Sequence, residues 1–247
     1  DVVTLGVASD IDALHDKGNL LPANWQARLP DDSTPYTSTI VFLVRQGNPK
    51  HIEDWDDLVR PGVKVITPNP KTSAGAQWNF LAAYAYGLKH GRGGPDAAKA
   101  FVQEVYQHVP ILNTSARGAT VAFTRQGIGD VLLAWENEAF LAIKEAGPGK
   151  FQIIVPSISM LAQPPVAVVD KNVERHGTTA LAQAYLRYLY TPAAQEIIAE
   201  NFYRPIDPQV AARHAKEFPQ VNRVNISAFG GWAKVQAEFF ADGALFD

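Results

Sequence analysis

The chain contains no cysteine, which removes disulfides, thiolate nucleophiles and Cys-ligated metals together. It also lacks an excess of either charge. Lys plus Arg number 22 against 25 for Asp plus Glu, a net charge of −3, and no basic run forms the footprint that a nucleic acid partner needs. Long apolar runs are missing as well, so no segment reads as a spanning helix or calls for direct membrane insertion. Asp1 to Val7 carries neither the charged region nor the cleavage site of a secretory leader, and reads as the start of a soluble chain that is mature, trimmed or cytoplasmic. What remains is 247 residues at 47% hydrophobic and 19% charged, a globular composition long enough for one large domain or two smaller lobes.

Catalytic signatures are absent too. The histidines, His15, His51, His90, His108, His176 and His214, are scattered, with no pair at metal-ligand spacing, and each reads as a surface residue. There is no G-x-S-x-G elbow, Walker loop, dinucleotide fingerprint or kinase set. Glu53, Asp54, Asp56 and Asp57 crowd together, but acids at a helix start complement the dipole and face water. Nothing calls for an enzyme, a cofactor or a metal.

The stretch with the most to say is Asn69-Pro70-Lys71-Thr72-Ser73-Ala74-Gly75-Ala76-Gln77-Trp78. An apolar run, Val63 to Thr67, precedes it, and Trp78 to Leu88 follows with apolar residues at helical spacing, so it reads as strand, turn, helix. Ser73 is an N-cap hydroxyl, and Ala74, Gly75 and Ala76 are small enough for another group to approach the first-turn amides. Those amides lack intrahelical partners at the positive end of the dipole, where a small anion fits. The simpler reading is a serine that caps its own helix. Against it, Ala76 stands where a capping box would need Glu or Gln.

Elsewhere Asp1 to Val7 reads as a buried strand, Ile11 to His15 as a short helix, and Tyr36 to Arg45 as the strongest strand, long enough to cross between lobes. His90 to Pro95 is a glycine-rich connector without the Lys-Ser or Lys-Thr of a P-loop. Asn113 to Thr120 repeats the small, polar, helix-opening pattern. Val131 to Ala134 is a strand, and Trp135 stands at its end, where open sheets present ligand-contacting groups; its indole N–H donates and never accepts. The Ser, Gln and Pro-rich segment between the strands Phe151 to Val155 and Val166 to Asp170 can return the chain to the first lobe. Strands alternating with helices predict α/β architecture with largely parallel sheets.

The residues Pro35 to Val44, Val65 to Lys71, Ala116 to Gly118, Gly127 to Leu132, Ala134 to Glu138, Asn201 to Pro205 and Phe229 to Lys234 carry a resemblance. In them, and over essentially its full length, the chain resembles the periplasmic sulfate-binding and thiosulfate-binding proteins of ABC importers. The resemblance implies a type II periplasmic-binding-protein fold: two α/β lobes around an anion cleft, lobe one from 1–38 and 160–247 and lobe two from 39–159. It implies a binding protein that takes sulfate or thiosulfate in the periplasm and passes it to a membrane permease. Ser73 would donate its hydroxyl, Ala74, Gly75 and Ala116 their amides, and Trp135 its indole, with Arg117 supporting the second turn from outside. Family members commonly have Gly where Ala74 stands, a change the amide survives unless the turn needs positive φ. Glu136 is expected to point away from the anion.

Family members also carry, ahead of the point matched by Asp1, a segment whose serine-bearing turn reaches the anion from the other lobe. The expectation is therefore a first lobe with an unfilled sheet position, and weak sulfate binding by these 247 residues unless a second chain completes the site. Other readings remain open: a different tetrahedral oxyanion such as molybdate or phosphate, the effector-sensing module of a regulator, or an anion-handling enzyme.

Overall fold

The computed structural model describes residues 1–91 and 93–247. The chain opens with β1 (Val2–Thr4), then α1 (Ala8–Gly18), which closes where Asn19 turns left-handed at φ 46° and its amide donates to the His15 carbonyl at 2.7 Å. A single turn, α2 (Pro30–Ser33), leads to β2 (Tyr36–Thr37) and β3 (Ile40–Arg45). Next come β4 (Val65–Pro68), α3 (Ala74–His90), α4 (Gly94–Gln107), β5 (Leu112–Asn113), α5 (Ala116–Thr124), β6 (Val131–Trp135) and α6 (Glu136–Ala146). After β7 (Phe151–Ile154), β8 (Ile158–Met160) and β9 (Val166–Val168) the chain turns helical with α7 (Asp170–His176), α8 (Thr179–Tyr188) and α9 (Pro192–Glu200). It ends through β10 (Arg204–Pro205), α10 (Pro208–Arg213), β11 (Asn222–Val224), α11 (Trp232–Val235) and a π-helical stretch, Gln236–Phe240.

These elements form two compact units, Asp1–Ser38 with Gln163–Pro219, and Thr39–Ala162 with Gln220–Asp247. In the first, β1 pairs antiparallel with β9 and β10 with β2, and Val166, Val168, Val173, Ala182 and Leu186 make a core. Buried Gln195 is fully used there: its amide donates to the carbonyls of Pro35 (2.7 Å) and Leu189 (2.8 Å), and its oxygen accepts from Ile206 (2.7 Å) and Asp207 (3.2 Å). Such satisfaction is what makes a buried amide tolerable.

The second unit is built on a five-stranded sheet in the order β5-β4-β6-β3-β7. β4 runs parallel to β5 and β6, whereas β3 runs antiparallel to β6 and β7, so the sheet is mixed rather than largely parallel. α3 is buried without a break from Ala76 to Gly87, as expected of a helix apolar on every side. One of its covers is the end of the chain. Trp78 meets Trp232 edge-on at 4.8 Å, and Phe80 packs against Phe239, Phe240 and Phe246 at 5.6, 5.2 and 6.1 Å. Residues 220–247, expected in lobe one, therefore belong to the second unit.

Other expectations are corrected locally. The long strand 36–45 is interrupted at Ser38 and Thr39, both buried, where the chain passes from the first unit to the second. β1 is short and half-exposed rather than buried. The acid-rich segment makes a single 3-10 helix, Trp55–Val59, with Asp54 and Asp57 closing a capping box. His15, His108 and His214 are half-buried, the first two bonded at 2.9 Å to the carbonyls of Leu21 and Val63. Of the connector His90 to Pro95, Arg92 lies outside the described residues and Gly94 already begins α4. Among the described residues no helix is long and apolar enough to cross a membrane.

Candidate anion-binding site

Three strands, β5, β4 and β6, run in the same direction side by side, and each leads into a helix: α5, α3 and α6. Three helix N-termini thus gather at the carboxyl edge of the parallel strands, the edge at which open α/β sheets bind ligands.

Between β4 and α3 the turn is held by its own backbone. The Asn69 carbonyl accepts from the amides of Thr72 and Ser73, each at 3.0 Å, and its side chain accepts from Lys71 N at 2.8 Å. Ser73 is the extended N-cap of α3, yet its hydroxyl makes no cap bond to the helix. The Ala76 and Gln77 amides close on the Ser73 carbonyl at 3.0 and 3.3 Å, so Ala74 and Gly75 are the amides that precede the intrahelical ladder. Ala74 has ordinary helical backbone and is not among the residues at positive φ, so alanine is tolerated at this position without strain. Buried Asn79 fastens the helix to the sheet, donating to Thr67 Oγ1 at 3.0 Å and to the Leu133 carbonyl at 3.2 Å.

The second turn is tied to the first. Asn69 N donates to the Asn113 carbonyl at 2.8 Å, and Thr72 Oγ1 to the Thr114 carbonyl at 2.8 Å. Here the cap serine does serve its own helix: Ser115 Oγ accepts from Gly118 N at 3.1 Å. Ala119 N bonds the Ser115 carbonyl at 3.0 Å, leaving Ala116 and Arg117 with the leading amides of α5. The Arg117 guanidinium is spent elsewhere, on both carboxylate oxygens of Glu145 at 3.2 Å each.

Gly75 reveals how these parts meet. A Cβ placed on it would lie 3.2 Å from Trp135 Nε1, 3.6 Å from Ser73 Oγ and 3.7 Å from Ala116 Cβ. Four of the sequence-predicted residues therefore converge on one point, and the missing side chain of Gly75 keeps it open. Trp135 Nε1 is buried there with no hydrogen-bond partner among the described residues. A buried donor left in that condition costs about 1–3 kcal/mol, which a ligand oxygen can recover.

With this geometry stand the relatives. A profile described as bacterial extracellular solute-binding protein matches residues 1–204. The chain belongs to that family. It is 55% identical over its whole length to a sulfate-binding protein of Salmonella typhimurium, covering 75% of that protein. Against a thiosulfate-binding protein of Pseudomonas aeruginosa the identity is 48%, again over the whole chain and 74% of the relative. The solved sulfate-binding protein SubI from Mycobacterium tuberculosis superposes with a TM-score of 0.87 at 38% identity, over 97% of this chain and 81% of that one. The chain thus has the solute-binding-protein fold, its relatives are named as binding proteins, and the resemblance read from the sequence holds.

Besides Glu136, which the sequence singled out, the fold brings to the same edge two groups that sequence reading passed over, Asn113 and Glu138. Asn113 Nδ2 is a second buried donor without a partner among the described residues; its place at the end of β5, opening the second turn, was the available signal. Glu136, beside Trp135, is only 1% exposed, and its amide donates to the Thr39 carbonyl at 2.9 Å. Burial pushes the Glu138 carboxyl above its ordinary range, with Arg117 pulling it down and Glu145 adding to the rise.

Proposed function

We propose that this chain captures sulfate or thiosulfate in the periplasm and delivers it to the membrane permease of an ABC importer. The anion is held by the Ser73 hydroxyl, the amides of Ala74, Gly75 and Ala116, and the Trp135 indole, with Arg117 acting from outside through Glu145. The observation that carries this reading is the buried, unpartnered Trp135 Nε1 beside the open face of Gly75. An indole nitrogen only donates, and backbone amides only donate. A fully ionised tetrahedral oxyanion accepts from all of them. Phosphate near neutral pH keeps a proton that requires an acceptor; the indole and the amides offer none and only the Ser73 hydroxyl of this set can accept, so the shell disfavours phosphate. The names of the relatives, sulfate-binding and thiosulfate-binding proteins, support the same ligand class.

Calorimetric titration with sulfate, thiosulfate, molybdate and phosphate tests the proposal. Sulfate or thiosulfate should bind, phosphate should fail to displace it, and Ser73→Ala should weaken it. Displacement by equimolar phosphate, or heat from molybdate alone, would overturn the assignment.

A further inference from the structure

The anion turn is gripped from outside by the end of the chain. Lys71 lies two residues before Ser73, and its ammonium donates to Asp247 Oδ1 at 2.8 Å and to the Ala241 carbonyl at 3.0 Å, with Asp242 Oδ1 at 3.5 Å. Asp247 is itself anchored, its other oxygen accepting from Gly243 N at 2.6 Å. Four residues beyond Ser73, Gln77 accepts from Gln236 Nε2 at 2.9 Å. Between the two anchors Phe246 packs against Phe80 and Tyr106 at 6.1 and 5.3 Å. The donor stretch 73–75 is thus bracketed on both sides by one segment, residues 236–247.

We propose that Lys71 is a positioning residue for the anion turn, on the reading of residues 73–75 as anion donors: held by Asp247, Asp242 and the Ala241 carbonyl, it fixes the donors against the C-terminal segment. Its cation is spent on two carboxylates and a carbonyl of the C-terminal segment, so it acts through the backbone of the turn. The pairing is mutual: the bond to Asp247 raises the Lys71 pKa, and Lys71 lowers that of Asp247. A turn that must present amides to a buried anion gains affinity from being held in place beforehand.

Hydrogen–deuterium exchange on the ligand-free chain tests the positioning without any anion. Lys71→Met and Asp247→Ala should each speed exchange of the peptide covering 69–77 by about threefold or more, as local opening becomes easier, while a peptide covering 40–45 stays unchanged and Lys71→Arg restores the slow rate. Sulfate titration then separates position from charge. Removing the Asp247 carboxylate takes a negative charge from the surroundings of an anion, so electrostatics alone would tighten binding; loss of positioning weakens it by about two- to fivefold, the scale of an exposed ion pair. Unchanged exchange at 69–77, equal acceleration at 40–45, or tighter sulfate binding by Asp247→Ala would overturn the proposal. If the unmodified chain binds no sulfate, the functional reading falls, and the exchange rates still decide whether Lys71 holds the turn.

Discussion

Trp135→Phe should move affinity and stability in different ways. The indole Nε1 is buried and has no hydrogen-bond partner among the described residues, so replacing it with a ring that has no donor removes a desolvation penalty of about 1–3 kcal/mol. Against that stands the lost packing of the larger ring; because Trp135 is only partly buried, this loss is smaller than for a core tryptophan. The two terms nearly cancel. For a chain of this size a residual of about 1 kcal/mol shifts the melting temperature by roughly 2–4 °C, so the ligand-free variant should melt within that range of the parent. In the complex the variant loses a hydrogen bond to a charged ligand, about 1.5–3 kcal/mol. That is a Kd about 10- to 150-fold weaker. Thermal melts without anion and calorimetric titration with sulfate give both numbers. A variant that melts far lower yet binds sulfate as well as the parent would refute the reasoning, because the indole would then be core and not a ligand donor.

Gly75→Ala puts a methyl 3.2 Å from Trp135 Nε1, so titration should find anion binding lost while circular dichroism and melting stay close to the parent, alanine being the better helix former. The two cap serines should behave differently in melting experiments. Ser115→Ala deletes a cap bond to Gly118 and should cost about 1 kcal/mol, whereas Ser73→Ala deletes none and should cost little; equal losses would contradict the hydrogen-bond assignments. In the first unit His214 is bonded to Glu217 at 3.0 Å and Glu196 at 2.8 Å, and Arg213 Nε donates to Glu196 at 2.6 Å. The bond to Glu217 first, then that to Glu196, raises the His214 pKa, so its stabilising contribution is complete below roughly pH 6.5 and is lost as pH rises through the raised value. Glu196 is lowered by His214 first and then Arg213, so its contribution is present above its ordinary value and lost on acidification through the lowered one. Melting between pH 5 and 9 should therefore lose stability on the alkaline side, and His214→Gln should flatten that fall.

Much of the candidate site was legible because it is local. A strand, a proline-bounded turn, a cap serine and a run of small residues spell a helix start with free amides, and Ser73, Ala74 and Gly75 are adjacent in sequence. Asn113 to Ala116 repeats the pattern, and Trp135 sits where an apolar strand stops. Composition alone dismissed thiolates, polyanion partners and spanning helices. Local pattern also placed α1 and α3, read as Ile11 to His15 and Trp78 to Leu88, to within a few residues, since periodicity and capping act over a few bonds.

Only the tertiary structure decided what depends on partners far away in sequence. That Gly75, Ser73, Ala116 and Trp135 share one point follows from the parallel register of β5, β4 and β6. That Ser73 leaves its hydroxyl off its own helix while Ser115 caps is a matter of side-chain direction, invisible in two similar strings. β3 is apolar in nearly every position and so carries no mark of direction; its antiparallel setting comes from its neighbours. The last 28 residues were placed by sequence in lobe one, and their unit was set by the rings of Trp78 and Phe80, some 150 positions earlier, which they fit. Lys71 has no charged partner near it in sequence, and folding brought Asp247 to it. Short-range chemistry wrote the donors into the sequence, and long-range packing chose which of them face the same point.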